Sequence, residues 1–425
     1  MHIFCSGIGG IGLSAYASLR RSAGHTVSGT DRTKSALTDE LEKQGIGFST
    51  DQSATQIPAA CDLLVYSEAI PADAPQRLEA AKRGIEQQSY PQALGELSKN
   101  HRVIAVCGTH GKSSTTGMAA RLLLECGFDP TIVVGTKLHE LDGRNWRAGK
   151  SDIFLLEACE YRRSFAAYTP HDILLTNCDG DHFDYYESPE DYRSAFIDFA
   201  KKLPEDGTLI THQTDQNCQA VCVAANRSTL NADTFPFVTL HTPGLHMRQN
   251  AQLVLGLASV LGIEPTKAQA AVAGYAGSWR RMERKGTMGN AAIVIDDYAH
   301  HPVEIRATLA ALKSAYPDRR LVCIFQPHTH DRTIKLYEDF LDAFREADLL
   351  IVSSVYEARS DIETQKVKMK KFVSDIQKAS NVRTIDGGSL EDIRKNLPSL
   401  SQSSDLVVCM GAGDITALAA TLTQQ

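Results

Sequence analysis

The segment "AVCGTHGKSSTT", residues 105–116, joins an apolar run to a run that favours a helix. A strand, a glycine-containing turn and a helix in this order form the setting of a phosphate-binding loop, because the N–H groups at the helix start face an anion. In such a loop Lys112 neutralises the β- and γ-phosphate oxygens, and Ser113 binds magnesium. The segment therefore predicts a nucleoside triphosphate site at the start of an α/β domain.

One position of this segment departs from the strict phosphate-loop pattern. Val106 stands where that pattern has its first glycine. Gly108 and Gly111 lie nearest to the lysine, where the phosphates approach, so we expect a tighter loop between them to bind phosphate. An ordinary glycine turn beside a lysine is the alternative interpretation.

A second glycine-rich turn, "GIGGIG" at residues 7–12, follows the first predicted strand. Gly7, Gly9 and Gly12 have the spacing of a dinucleotide fingerprint, and Asp31 ends the next strand, where an acidic residue contacts a ribose. The turn favours a bound diphosphate without identifying the nucleotide. A purely structural glycine turn remains possible.

The rest of the chain alternates apolar strands with helices, which is typical of parallel α/β sheets. A chain of 425 residues also exceeds what one hydrophobic core usually serves. We predict an N-terminal Rossmann-like domain (residues 1–98), a central phosphate-loop ATPase-like α/β domain (99–277) and a C-terminal Rossmann-like α/β domain (278–425). Within the third domain, the sequence predicts one continuous helix over residues 334–347.

The overall composition excludes several classes of partner. A net charge of −7 provides no broad basic face, so we expect neither nucleic acid nor a membrane surface as a partner. The ten cysteines are scattered without a Cys-x-x-Cys pair, and the N-terminal segment lacks a basic stretch followed by an apolar one. These features favour a cytoplasmic protein with reduced thiols.

Acidic and imidazole side chains follow two of the predicted strands of the central domain. Glu157 and Glu160 follow one strand, and Asp181, His182 and Asp184 follow the next. Because the carboxyl ends of parallel strands meet at one edge of a sheet, we expect these groups beside the phosphate loop, where a carboxylate and an imidazole bind a second divalent cation. A solvated acidic loop is the alternative.

The third domain has two further polar segments at predicted strand ends. They are "IDDYAHHP" (295–302) and "FQPHTHDRT" (325–333), and such positions bind ligands in open α/β sheets. The segments contain His300, His301, His328 and His330. Contact with a nucleotide or substrate is favoured over zinc binding, because no matching cysteine or carboxylate spacing is present.

These segments and their order resemble the Mur ligases of peptidoglycan synthesis from one end of the chain to the other. The segments that carry the resemblance are "GIGGIGLS", "VYSEAI", "YPQALGEL", "GTHGKSSTT", "EACEYRRSF", "TNCDGDHFDYY", "PGLHMRQNAQ", "SWRRME", "DDYAHHPVEI", "FQPHTHDRT" and "GAGDI". His110 in the loop and the form "DDYAHHP" favour the branch that acts on UDP-N-acetylmuramate and L-alanine.

The resemblance implies an ADP-forming amide ligation with ATP and Mg²⁺, in a monomer or weak homodimer. The residues that it assigns to ATP are Gly108, Thr109, His110, Gly111, Lys112, Ser113, Ser114, Asn250, Arg281, Asp297, Tyr298 and His300. It assigns Gly9, Gly10, Gly12, Asp31 and Ser67 to the nucleotide sugar, and His328 and Arg332 to L-alanine. It assigns magnesium to Ser113, Glu157 and His182, and makes Lys112, Glu157 and His182 the catalytic residues.

Some questions stay open at the level of the sequence. Either His182 or His300 could accept the proton of the amine. Thr329 and His330 depart from the family pattern, which leaves the amino-acid pocket less defined than the ATP site. The rival activities are addition of a murein tripeptide or another amino acid to the same nucleotide sugar, a nicotinamide-dependent oxidoreductase, and a non-catalytic nucleotide-binding regulator.

Overall fold

The computed structural model describes residues 1–182, 185–357 and 366–424, which contain three β-sheets with helices between their strands. The prediction of three α/β domains with parallel sheets is confirmed. None of the helices in these residues has the length and apolarity that a bilayer span requires.

The first sheet has five parallel strands in the order β3-β2-β1-β4-β5. Its strands are β1 (His2–Ser6), β2 (Thr26–Thr30), β3 (Gly47–Ser49), β4 (Leu63–Tyr66) and β5 (Glu86–Ser89). The helices of this part are α1 (Ile11–Ser22), α2 (Ala36–Lys43), α3 (Pro75–Lys82) and α4 (Tyr90–Ser98). From β1 the chain proceeds to β2 and β3 on one side of the sheet and then crosses to β4 and β5 on the other side. Open α/β sheets bind ligands at such a switch point, which here lies between β1 and β4.

The second sheet has seven strands in the order β12-β11-β10-β6-β9-β7-β8, of which only the β7–β8 pair is antiparallel. Its strands are β6 (Arg102–Cys107), β7 (Thr131–Leu138), β8 (Arg144–Arg147), β9 (Ile153–Glu157), β10 (Asp172–Leu175), β11 (Thr208–Thr211) and β12 (Thr229–Asn231). The helices are α5 (Lys112–Glu125), α6 (Pro189–Ala200), α7 (Gln216–Ala225), α8 (Leu245–Val260) and α9 (Pro265–Ala273). Since β6 lies between β9 and β10, the turn after β6 lies between the acidic segments that follow its two neighbours.

The third sheet has six strands in the order β13-β14-β18-β15-β16-β17, with β13 antiparallel at one edge. Its strands are β13 (Glu283–Thr287), β14 (Ile293–Asp297), β15 (Leu321–Phe325), β16 (Leu349–Ser353), β17 (Arg383–Gly388) and β18 (Leu406–Met410). The helices are α10 (Pro302–Ala315), α11 (His330–Lys335), α12 (Tyr337–Leu341), α13 (Met369–Ser380), α14 (Leu390–Leu400) and α15 (Ile415–Leu422). The segments after β14 and β15 leave the same edge of this sheet, on either side of β18.

The chain forms two compact units. The first unit, Met1–Thr239 with Gln249–Ala276, contains the first two sheets, and the second, Leu240–Arg248 with Gly277–Gln425, contains the third. The domain boundaries at residues 98 and 277 stay predictions.

The prediction of one helix over residues 334–347 is wrong. The structure has two short helices there, α11 and α12, which meet at Leu336. Leu336 has φ −102° and ψ 19°, outside the helical region, and its side chain is buried. Burial of this leucine in the core of the second unit outweighs the continuous helical pattern of the sequence.

Candidate active site

The phosphate loop of the first unit has the backbone that its glycines permit. Gly108 has φ +138° and Gly111 has φ +80°, and Gly111 is the N-cap residue immediately before α5. A Cβ atom at position 108 would lie only 2.0 Å from Thr176 Oγ1. The tighter loop expected between these two glycines is therefore present, and it leads directly into a helix of 14 residues.

Side chains from the segment after β10 hold this loop in place. The backbone N–H of His110 donates to Asn177 Oδ1 at 2.9 Å, and Thr176 Oγ1 donates to the carbonyl oxygen of His110 at 2.6 Å. Thr109 Oγ1 lies 2.9 Å from the hydroxyl of Tyr192. Sequence reasoning missed these supporting residues, although the polar pair "TN" at a strand end was a signal for them.

Asn250 also lies against the loop. A Cβ atom at Gly111 would lie 2.8 Å from Asn250 Oδ1, and Asn250 is buried. The predicted ATP contact from α8 is therefore adjacent to the phosphate loop in the first unit. Ser113 and Ser114, in the first turn of α5, are also buried there.

Lys112 is held by the protein on all sides. Its Nζ donates to the carbonyl oxygens of Gly108 (2.6 Å) and Thr109 (3.0 Å), and it lies 2.9 Å from Glu160 Oε2. Burial alone would lower the pKa of Lys112, but the carboxylate of Glu160 raises it above its ordinary value. The ammonium group is therefore charged, and incoming phosphate oxygens must compete with these three acceptors.

Glu160 connects Lys112 to His182. Its carboxylate has no exposed surface, and Oε1 lies 3.5 Å from His182 Nε2. Burial would raise the pKa of Glu160, but Lys112 and His182 lower it below its ordinary value. His182 has φ +57°, which is uncommon outside glycine. The structure thus brings His182 to the loop as predicted. Asp184 lies outside the described residues.

Glu157 has a different partner. Its Oε2 accepts a hydrogen bond of 3.1 Å from the N–H of Gly135, on the neighbouring strand β7. A Cβ atom at Gly135 would lie 2.6 Å from Glu157 Oε1, so any larger residue at this position would displace the carboxylate from where it now lies. Sequence reasoning named Glu160 with Glu157 but assigned the catalytic role to Glu157; the contacts of Lys112 and His182 in this structure are with Glu160.

The residues predicted to bind magnesium fit that ion by their chemistry. Ser113 supplies a hydroxyl, Glu157 a carboxylate and His182 an imidazole. Within residues 1–182, 185–357 and 366–424 no three His, Cys, Asp or Glu side chains form a ready metal cluster.

The glycine turn after β1 gathers the residues predicted to bind the nucleotide sugar. The N–H of Gly9 donates to Asp31 Oδ2 at 2.8 Å, and Gly10 is the N-cap residue immediately before α1. A Cβ atom at Gly7 would lie 2.9 Å from that of Ser67, which follows β4. These residues therefore surround the start of α1, where a diphosphate is stabilised by free N–H groups.

Gly12 has a packing role in addition to its predicted contact with substrate. A Cβ atom there would lie 2.8 Å from the ring of Tyr90, the first residue of α4. Contacts from β7 and β8 also hold the first two helices: Asn145 Nδ2 donates to the carbonyl oxygen of Ile11 in α1, and Lys137 forms an ion pair of 2.6 Å with Glu40 in α2. The third glycine of the fingerprint thus allows a close approach between neighbouring elements.

Asp297 of the second unit ends β14 in a buried position. Its carboxylate accepts hydrogen bonds from the N–H groups of Met282 (2.7 Å) and Ala299 (2.8 Å) and is 4% exposed. Burial raises its pKa to about 6, although Arg281 and the two N–H groups oppose the shift. Arg281 also lies over the ring of Tyr298, with 5.2 Å between the guanidinium carbon and the ring centroid.

The two residues predicted to bind L-alanine contact each other. Arg332 Nη1 lies 3.1 Å from His328 Nδ1, and the His328 ring centroid lies 5.8 Å from that of His300. Tyr298 and His300 are also neighbours, at 5.5 Å. The structure thus brings the residues predicted after β14 and after β15 together within the second unit.

Replacing Gly108 with alanine is expected to lower the free energy of unfolding by more than about 3 kcal/mol and to abolish nucleotide binding. The reason is that the new Cβ would overlap Thr176 in a backbone region used almost only by glycine. Urea denaturation and ATP titration measure the two effects. Gly127→Ala is the matched control, because φ is +88° there with no atom within 4 Å of the new Cβ. Equal losses in both variants would contradict a crowded loop.

Replacing Asp297 with asparagine is expected to change how stability depends on pH. The pKa of this carboxyl is about 6 in the folded chain and ordinarily 3.8, so the unfolded chain releases its proton first. The free energy of unfolding of the unsubstituted protein should therefore fall, relative to that of the variant, by about 2 kcal/mol as pH rises from 4 to 7. Urea midpoints of both proteins across this range measure the difference, and a constant difference would contradict the raised pKa.

Profiles of three protein domains match the chain in order. The profile described as "Mur ligase family, catalytic domain" matches residues 2–102, "Mur ligase middle domain" matches 106–250, and "Mur ligase, glutamate ligase domain" matches 280–413. Together they account for most of the chain.

Individual relatives match over nearly the full length. UDP-N-acetylmuramate–L-alanine ligase of Clostridium tetani is 36% identical, covering 96% of this chain and 95% of its own. The enzyme of the same name from Lachnospira eligens is also 36% identical, covering 98% and 96%. The solved structure of UDP-N-acetylmuramate-alanine ligase from Thermotoga maritima has a TM-score of 0.83 at 26% identity, covering 100% of this chain and 98% of that one. The chain belongs to the Mur ligase family.

Proposed function

We propose that this chain joins L-alanine to the carboxylate of UDP-N-acetylmuramate and converts ATP to ADP and phosphate. The observation that carries the proposal is the near-complete match, at 34–36% identity, to enzymes named for this reaction. The geometry of the phosphate loop and of the residues at the start of α1 also supports the proposed reaction. Mur ligases use ATP, which the loop after β6 is proposed to bind.

The phosphate loop supplies groups that suit transfer of the γ-phosphoryl group of ATP to a carboxylate. A muramyl carboxylate must approach a γ-phosphate, and two unit negative charges about 4 Å apart repel by roughly 4 kcal/mol at an effective dielectric constant of 20. Lys112 is charged and lies at the loop, so it offsets this repulsion. The N–H groups at the start of α5 also stabilise the negative charge. Attack of the carboxylate on the γ-phosphate then forms an acyl phosphate.

Ser113, Glu157 and His182 would hold magnesium next to these groups. When bound, the ion neutralises phosphate charge. Gly135 holds the Glu157 carboxylate from the side of β7, so that side chain has a defined direction before any ligand arrives. Gly108, Thr109, His110, Gly111 and Ser114 form the loop and helix start that are proposed to surround the phosphates, and Asn250 lies against the same loop.

The first sheet is proposed to hold the UDP portion of the substrate. The N–H groups around Gly9, Gly10 and Gly12 at the start of α1 suit the diphosphate, and Asp31 suits the sugar hydroxyls of the nucleoside. In this structure the Asp31 carboxylate accepts a hydrogen bond from the Gly9 N–H. Substrate binding would exchange that hydrogen bond for bonds to the ligand.

Arg332 and His328 are proposed to receive the carboxylate of L-alanine. A guanidinium group binds a carboxylate through two parallel N–H donors, and the contact with His328 orients it. Arg281, Asp297, Tyr298 and His300 are proposed contacts of ATP from the second unit. The cytoplasmic location and the monomer or weak homodimer stay predictions.

The substrate is tested with purified protein, ATP, Mg²⁺ and UDP-N-acetylmuramate, by phosphate release with a panel of amino acids and a murein tripeptide. L-Alanine is expected to have the highest kcat/KM. If the tripeptide is the only active acceptor, the protein belongs to the peptide-adding branch instead. If alanine, serine, glycine and the tripeptide are all inert, the proposed ligation is wrong.

A further inference from the structure

His212 follows β11 in the first unit, and its side chain is buried. Its Nδ1 lies 2.7 Å from Asp233 Oδ1, and its Nε2 lies 3.1 Å from the carbonyl oxygen of Gln249. An ionised carboxylate and a carbonyl oxygen can only accept a hydrogen bond, so both ring nitrogens are assigned as donors. His212 therefore joins the segments after β11 and after β12 to α8.

The Asp233 carboxylate is fixed from a second side. Its Oδ2 accepts a hydrogen bond of 2.9 Å from the N–H of Thr214, and the N–H of Asp233 donates to Asn231 Oδ1 at 3.0 Å. Burial would raise the pKa of this carboxyl, but the hydrogen bonds from His212 and Thr214 lower it below its ordinary value. The acceptor of His212 Nδ1 is thus an ionised group with a defined position, and it sets the direction of the ring.

The bond to Gln249 acts on the peptide group that leads into Asn250. A peptide group is planar, so a hydrogen bond to its carbonyl oxygen also restricts the direction of the N–Cα bond that follows. The Asn250 side chain is buried against the phosphate loop, where a Cβ atom at Gly111 would lie 2.8 Å from Asn250 Oδ1. His212 is thus one peptide group away from a residue that lies against the loop.

Two other contacts hold α8 in the first unit. Gln252 Nε2 donates to the carbonyl oxygen of Phe235, in the segment after β12. A Cβ atom at Gly256 would lie 2.7 Å from the side chain of Ile210 on β11, so the helix packs closely on that strand. Both contacts are further along the helix than Gln249. They place the helix as a whole, whereas the bond from His212 acts at the turn that contains Asn250.

We infer that His212 is a positioning residue of the ATP site, which places Asn250 against the phosphate loop through the carbonyl oxygen of Gln249. The inference rests on the proposed function, in which the loop and Asn250 bind ATP. The side chain of His212 is only 6% exposed and both of its nitrogens are bonded to the protein, so it acts through its neighbours. Neither partner is close to His212 in sequence, so no local pattern indicates this role.

Two substitutions separate the two hydrogen bonds of His212. The amide nitrogen of Asn takes about the place of Nδ1, and that of Gln about the place of Nε2. His212→Asn therefore keeps the bond to Asp233, and His212→Gln keeps the bond to Gln249. Titration of the full chain with ATP and Mg²⁺ is expected to give a Kd about five- to tenfold higher for His212→Asn, and within about twofold of the unsubstituted value for His212→Gln.

The kinetic constants provide a second measurement. In His212→Asn the KM for ATP should rise by about the same factor as the Kd, while kcat and the KM for L-alanine stay within about twofold. Binding of UDP-N-acetylmuramate should be unchanged, because its proposed site is at the start of α1. Thermal melting verifies that each variant is folded. A comparable loss of affinity for ATP and for the nucleotide sugar would indicate a general structural defect and would overturn the inference.

The coupling between His212 and Asn250 is tested with the double variant. In an Asn250→Ala background, His212→Asn should raise the Kd of ATP by less than about twofold, because the side chain that it positions is gone. If the factors of the two single variants multiply in the double variant, His212 does not act through Asn250.

His171 provides the matched control. Its ring also lies between two acceptors, with Nδ1 3.1 Å from Asp172 and Nε2 3.4 Å from Asp206. It precedes β10, however, at the end of the strands opposite to the phosphate loop. His171→Asn should leave the Kd of ATP unchanged, and a loss equal to that of His212→Asn would contradict a specific role.

Two further outcomes distinguish this inference from the proposed function. If the unsubstituted protein does not bind ATP, the proposed function is wrong. If it binds ATP and His212→Asn binds as tightly, or if His212→Gln loses as much affinity as His212→Asn, only the role of His212 is contradicted.

Discussion

Replacing Lys112 with alanine is expected to reduce alanine-dependent phosphate release by at least about 10²–10³-fold, while binding of UDP-N-acetylmuramate persists. The ammonium group of Lys112 is the charge that the phosphate loop directs at the β- and γ-phosphates. The proposed site of the nucleotide sugar depends on the separate glycine turn at the start of α1. Steady-state kinetics and calorimetric titration with the nucleotide sugar measure the two effects.

The stability of this variant must be controlled, because Glu160 would lose its partner in a fully buried place. Breaking a buried ion pair costs about 3–5 kcal/mol. The double variant Lys112→Ala with Glu160→Gln removes the uncompensated charge and should recover stability without recovering activity. Lys99→Ala is the matched surface control, since Lys99 pairs only with Glu96 and is largely exposed. Equal loss of turnover and of nucleotide-sugar binding in a folded double variant would contradict the separate roles of the two loops.

Replacing Arg332 with alanine is expected to raise the KM for L-alanine by about 10- to 100-fold and to leave the KM for ATP within about twofold. The expected loss corresponds to about 1.4–2.8 kcal/mol, which is typical of hydrogen bonds to a charged group. The change should fall on the amino acid because Arg332 lies beside His328 and follows β15, away from the phosphate loop in the chain. Initial rates with each substrate varied in turn measure both constants.

Arg306→Ala is the matched control for Arg332. Arg306 lies in the same unit and forms a partly exposed ion pair with Asp342, and nothing in the proposed chemistry uses it. Its kinetic constants should equal those of the unsubstituted enzyme. If Arg332→Ala raises the KM for ATP more than that for alanine, the amino-acid pocket has been assigned to the wrong residues.

Much of the fold could be predicted because its signals are local. Apolar runs mark the buried strands β6, β9, β10, β14, β15 and β18, and each of these was expected from the sequence. Two polar strands at sheet edges were missed. β8 reads "RNWR" and β13 reads "ERKGT", and such polar strands are stabilised by pairing with a neighbour instead of by burial of an apolar run.

The residues of the candidate site also divide into those that a local sequence pattern predicts and those that depend on contacts between distant segments. Gly108, Gly111 and Lys112 are recognisable in one short segment because a phosphate loop is built from consecutive residues. Lys112 forms its ion pair with Glu160, which lies in the segment after β9, three positions beyond Glu157. A difference of three residues after a strand end changes the direction of a side chain, which the pattern of residues does not reveal.

The amino-acid pattern alone establishes three α/β domains, two glycine turns that suit phosphate groups, and the family to which they are similar, because each depends on residues close together in the chain. Only the folded chain shows that Glu160 joins Lys112 to His182, that Gly135 donates a hydrogen bond to Glu157, and that His328 lies beside both Arg332 and His300. These properties depend on the order of strands in each sheet and on contacts a few ångströms long between segments distant in sequence, and such contacts form only when the sheets do.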